Sequence, residues 1–127
     1  MINALGIFLV LHGIAHLVGF LVAWRIGNLE GVMYKTTLLG GAVDVGDAGT
    51  RVMGLMWLAG ALLVSLSGVA ALLDSGSWRS LALAALGFSL VLSVLGWPDA
   101  RMGIVVNVVL LVLLVSARWL GWNLGAR

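Results

Sequence analysis

Charge is confined to a few places along this chain, and long uncharged stretches lie between them. The run from Ile2 to Trp24 carries no charged residue at all. Four stretches predict helices: Asn3–Trp24, Val52–Leu73, Ser80–Gly96 and Gly103–Leu120. Spanning a bilayer as helix takes roughly 20 apolar residues. The third and fourth stretches are short for this, which implies little tilt or a locally thin membrane. Backbone groups in hydrocarbon need partners within their own segment, so each stretch is a helix. The other spanning solution, a closed barrel, needs period-two alternation over about ten residues, and none is seen. The expected fold is therefore all-α, a single membrane domain over residues 1–127 built as an up-down bundle of four transmembrane helices.

One connection is substantial. Residues 25–51 form a long Gly-rich loop that carries Glu30, Lys35, Asp44 and Asp47 before the second span. A loop of this length is commonly functional or mobile. Its middle, Met33–Leu39, is apolar enough to lie on the bilayer surface or cover the bundle end; a ligand-binding loop is the alternative. Asp47 is placed to cap the second helix, with Arg51 in its first turn, and Asp99 to cap the fourth. The remaining connections, Asp74–Trp78 and Trp97–Arg101, are tight, so successive spans should be antiparallel neighbours. Trp24, Trp78, Trp97, Trp119 and Trp122 all fall at span ends, where indole rings favour the interface.

Composition strengthens the membrane reading. Of 127 residues, 62% are hydrophobic and only 9% charged, with a mean hydropathy of +1.17. A soluble domain of this size needs far more polar surface. The first span lacks a basic residue before it and is too long for a signal core, so it reads as a retained span. No cysteine is present, which removes disulfides, thiolate metal sites and redox pairs. A net charge of +2 from seven basic and five acidic residues leaves no nucleic-acid footprint. Arg25, Lys35, Arg51 and Arg101 fall on the side of the first and third loops, against Arg79, Arg118 and Arg127 on the other. The positive-inside rule then puts the first and third loops in the cytoplasm and both termini outside.

Gly54, Ala61 and Gly68 recur every seven residues along the second span. Membrane helices associate by close packing and side-chain hydrogen bonds, so this stripe marks a helix–helix face, within the bundle or towards a partner subunit.

The polar residues inside the spans carry whatever chemistry there is. His12 and His16 stand four apart, on one helix face, about 6 Å apart in rise. A metal site needs three or four ligands, and only Asp44 and Asp47 in the loop could complete one. The expectation is no metal. Two histidines on one helix cannot clamp a haem from both sides. Helix-to-helix hydrogen bonding is the plainest use of a neutral imidazole here. Depth adds a second reading. His16 lies nine residues from Arg25, Trp57 six from Arg51, Ser89 eight from Trp97 and Asn107 six from Arg101. At 1.5 Å per residue all four sit about 9–14 Å deep. Each span thus offers one hydrogen-bonding side chain to one layer, either a closed network or the floor of a pocket under the first loop. By this arithmetic His16 is nearer Asn107 than His12 is, with His12 one turn deeper.

Three blocks resemble a family of small, uncharacterised bacterial four-helix membrane proteins. They are His12-Gly13-Ile14-Ala15-His16-Leu17-Val18-Gly19-Phe20 (HGxxHxxGF), Thr37–Gly41 with Asp44–Gly46 and Arg51–Leu58, and Asp99–Asn107 with its late GxxxN. The resemblance implies a four-helix fold in a bacterial cytoplasmic membrane and lends no reaction. No nucleophile–base constellation is present, so an enzyme is not expected. Transport would need an oligomer, since no inverted repeat or broken span is visible. Two functions remain. The leading one is a non-enzymatic accessory or assembly subunit, held by other membrane-protein subunits or by self-association. The alternative is a binding protein for a quinone, lipid, haem or pigment, built around His12, His16 and Asn107.

Overall fold

The computed structural model describes residues 1–27 and 29–124; Arg127, counted above for its charge, lies outside the described residues. Among the described residues, four helical segments are long and apolar enough to cross a membrane: Ile2–Ala23, Gly46–Leu72, Trp78–Leu95 and Arg101–Trp119. The first is two helices, α1 (Ile2–Ala15) and α2 (Leu17–Ala23), meeting at His16. A short antiparallel hairpin follows, β1 (Thr37–Leu38) and β2 (Val43–Asp44), pairing Thr37 with Asp44 and Leu38 with Val43. Its turn passes through Gly40 and Gly41 at φ 67° and 95°, a conformation glycine adopts without steric cost. Then come α3 (Gly46–Leu72), α4 (Trp78–Leu95) and α5 (Arg101–Trp119).

Helix α3 starts at Gly46, well before Val52. Gly46 and Gly49 weaken helix propensity there, which is why the sequence reads as loop. Tertiary contacts hold this turn from outside: Asp47 accepts from the Tyr34 hydroxyl and pairs with Arg25. Val45, not Asp47, is the N-cap, and Arg51 lies beyond the first turn. Likewise Ala100 is the N-cap of α5, with no side-chain cap bond; Asp99 bonds Lys35 instead. In both places a cation close in space displaces the capping role. The connecting segment therefore runs only from Trp24 to Val45 and contains the hairpin.

The helices pack in the order α1/α2, α3, α4, α5. Gly6 and Gly68 let α1 and α3 approach until a Cβ on Gly68 would sit 2.6 Å from the Gly6 carbonyl oxygen. Gly13 does the same two turns on, where its Cβ would lie 2.8 Å from the Ala61 carbonyl oxygen. Gly54 receives Ala23 and Trp24. The small-residue stripe of α3 thus faces α1 and α2 of the same chain. Side chains of Leu5, Leu9, Val64, Leu86, Leu110 and Leu114 fill the half of the bundle nearer the termini. Trp78, the first residue of α4, joins them at 1% exposed, so its ring packs inside the bundle rather than facing outward. The half nearer the hairpin is hollow.

Candidate functional site

His12, His16 and Ser93 floor the hollow half and belong to a hydrogen-bond circuit completed behind them by Ser89 and Asn107; its first link is a local change of helix geometry. The His16 N–H reaches back to the Gly13 carbonyl at 3.0 Å, three residues rather than four, as φ −66° and ψ −20° allow. The His12 carbonyl then takes the His16 side chain, whose Nδ1 lies 2.8 Å away. A carbonyl only accepts, so this nitrogen carries the hydrogen. In a neutral ring Nε2 is then a lone pair, and the Ser89 hydroxyl donates to it at 2.5 Å. Ser89 Oγ accepts from Asn107 Nδ2 at 2.7 Å. The second amide hydrogen of Asn107 points to Ser93 Oγ at 3.3 Å. Asn107 Oδ1 accepts from His12 Nε2 at 3.0 Å. The circuit leaves the ring of His12 and returns to its carbonyl, with every direction set by one backbone acceptor.

Asn107, Ser89, Ser93 and His16 are all buried. Buried amide and hydroxyl groups are costly without partners, and here each has one. Glycines clear the space. A Cβ on Gly60 would press the His16 ring at 3.2 Å, and one on Gly103 would strike Ser93 Oγ at 2.6 Å. Trp57 meets the layer by its ring, 5.4 Å from that of His16, and fits because a Cβ on Gly19 would lie 2.5 Å from its Cγ.

The expectation that His16 lies nearer Asn107 than His12 does is corrected by this geometry: His12 bonds Asn107, and His16 reaches it only through Ser89. The depth arithmetic took the ends of all spans as level, while the packing of α5 on α4 brings Asn107 to the Ser89–Ser93 face. Ser93 was missed. Its spacing of four from Ser89 was the available signal, since it repeats the spacing of the two histidines.

Above the floor lies a cavity of about 480 Å³, within the roughly 300–1,000 Å³ usual for ligand sites. Val18, Gly19 and Val22 form one wall, Met53 and Trp57 the second, Met102, Gly103 and Val106 the third. Val32, Met33, Tyr34, Lys35, Thr37 and Leu38 roof it. Two contacts fix the roof to the α4–α5 turn: Lys35 Nζ to Asp99 Oδ2 at 2.6 Å, and the Gly40 N–H to the Trp97 carbonyl at 2.9 Å.

The loop-side candidates Asp44, Asp47 and Arg51 are outside the lining. Asp44 accepts from the Gly46 N–H at 2.9 Å; that bond, then one from Thr36, holds its carboxyl below the usual range. Asp47 accepts from the Tyr34 hydroxyl and pairs with Arg25 at 3.2 Å, while the Arg25 guanidinium stacks 4.0 Å over the Tyr34 ring. Arg51 lies over Trp24. These three residues brace the loop. Among the described residues no three His, Asp or Glu side chains converge.

Family models, curated proteins and solved structures were compared with the chain, and none matches it.

Proposed function

We propose that this chain is a multi-pass membrane protein that binds a small, largely apolar molecule between α1/α2 and α5. The cavity carries the reading. Its walls are apolar, its floor offers hydrogen bonds, and its volume suits a ligand of some tens of atoms. It also borders the lipid-facing surface. Helix α5 packs on α4 rather than closely on α1 and α2, and both lips of the seam, Ala15 and Met102, are exposed. A ligand dissolved in the bilayer reaches this seam without crossing water.

A quinone, lipid or pigment suits such a site better than haem: both nitrogens of His16 are hydrogen-bonded, which leaves His12 Nδ1 as the one histidine nitrogen of the pair open to an iron. The accessory-subunit reading leaned on the small-residue stripe, which faces α1 and α2 of this chain. Association with other subunits or a second copy now has only the general apolarity of the outer surface behind it.

The test is extraction. Protein purified in mild detergent, or in polymer-bounded native lipid, is stripped with organic solvent and analysed by mass spectrometry. A molecule in near-equimolar amount is expected with the wild type, and its loss with Ala15→Trp, which places an indole in the seam. Equal recovery from both proteins counts against the cavity as the binding site.

We place the chain in a bacterial cytoplasmic membrane with the hairpin side in the cytoplasm, on the excess of basic residues there. The chain has no cysteine, so Ala42→Cys and Gly76→Cys can each be labelled without background. Labelling of the second but not the first by an impermeant maleimide outside intact cells is expected; the reverse pattern inverts the orientation.

A further inference from the structure

Two hydrogen-bonding valences of the cavity floor are left open by the circuit. Ser93 Oγ accepts from Asn107, yet no acceptor for its own hydrogen is found among the described residues, although the side chain is 1% exposed and lines the cavity. His12 donates through Nε2 to Asn107, so its Nδ1 is a lone pair, again without a partner among the described residues. The circuit residues of the floor therefore present one donor and one acceptor. The charged side chains lining the cavity are Lys35 and Asp99, and they pair with each other at the roof. No uncompensated charge of either sign lines the site.

From these observations we infer that the ligand is a neutral amphiphile with a hydroxyl or phenol head group, held head-down on the floor. The head group donates to His12 Nδ1 and accepts from the Ser93 hydroxyl, and its apolar body lies along Val18, Val22 and Met102. A carboxylate or ammonium would be a buried charge without a counter-ion, which is strongly disfavoured. A head group with an acceptor alone, such as an ether, satisfies Ser93 and leaves His12 Nδ1 unpaired. This inference rests on the cavity being a binding site, and the test is arranged so that the two fail separately.

Four probes of equal tail length are measured by equilibrium dialysis against the full chain in lipid nanodiscs: para-octylphenol, para-octylanisole, para-octylbenzoate and octylbenzene. Saturable binding of the phenol is expected, about tenfold tighter than the anisole, which is the usual weight of one hydrogen bond in a dry site. The benzoate is expected to be weaker still. Ser93→Ala should weaken phenol and anisole by similar factors and leave octylbenzene unchanged, which a merely structural role for Ser93 would not do. Equal affinity for phenol and anisole, or preference for the benzoate, overturns the head-group inference while the cavity stands. If no probe binds saturably, the cavity reading falls with it.

Discussion

Gly68→Leu is expected to lower the stability of the folded bundle by roughly 3 kcal/mol, the upper part of the range for overpacking. A Cβ at this position would lie 2.6 Å from the Gly6 carbonyl oxygen and 2.8 Å from the Val10 nitrogen. Both are backbone atoms of α1, so no side chain can turn away and the helices must separate. Leucine also gains about 0.8 kcal/mol of helix propensity over glycine, which offsets only part of the clash. Reversible unfolding in mild detergent measures the difference. Leu62→Phe, on the exposed face of α3, serves as a control with no expected effect. A Gly68→Leu protein as stable as the control would mean that α1 and α3 are not in backbone contact.

Asn107→Leu has the second largest expected effect and acts on the circuit. The amide makes three hydrogen bonds, to His12, Ser89 and Ser93. Side-chain hydrogen bonds between membrane helices average about 0.6 kcal/mol each, so about 2 kcal/mol is at stake. Leucine is close in volume, which keeps packing losses small. The loss should come from His12 Nε2–H without an acceptor and Ser89 without its donor. Bound ligand should also be lost, because His12 is then free to rotate and its Nδ1 is no longer fixed over the floor. Combining Asn107→Leu with Ser89→Ala separates the terms: less than additive destabilisation is expected for partners in one network. Additive losses, with ligand retained, would reduce the layer to independent contacts.

Much of this architecture could be read from the sequence because hydrocarbon imposes strong rules. Uncharged runs of about 20 residues give the four long helices to within a few residues, except at Gly46–Arg51, where two glycines hide a helix anchored by tertiary contacts. Depth along a helix is a simple count, which is why His16, Ser89 and Asn107 could be grouped before their contacts were known. Which of them touch could not be counted, since that depends on how α5 packs against α4. Lys35 and Asp99 show the other limit. They are 64 residues apart in number, and only the hairpin folding back over the α4–α5 turn brings their charges together. Capping roles for Asp47 and Asp99 failed for the same reason, as each carboxylate found a cation in another segment.

The seam between α1/α2 and α5 is the central claim, and a high-resolution map of the wild-type protein in lipid nanodiscs tests it most directly. The expected result is a continuous elongated density above the circuit, within hydrogen-bond distance of His12 Nδ1 and Ser93 Oγ and leaving between Ala15 and Met102. A seam closed by direct packing of α5 on α2, or a cavity holding only isolated water peaks, would contradict it.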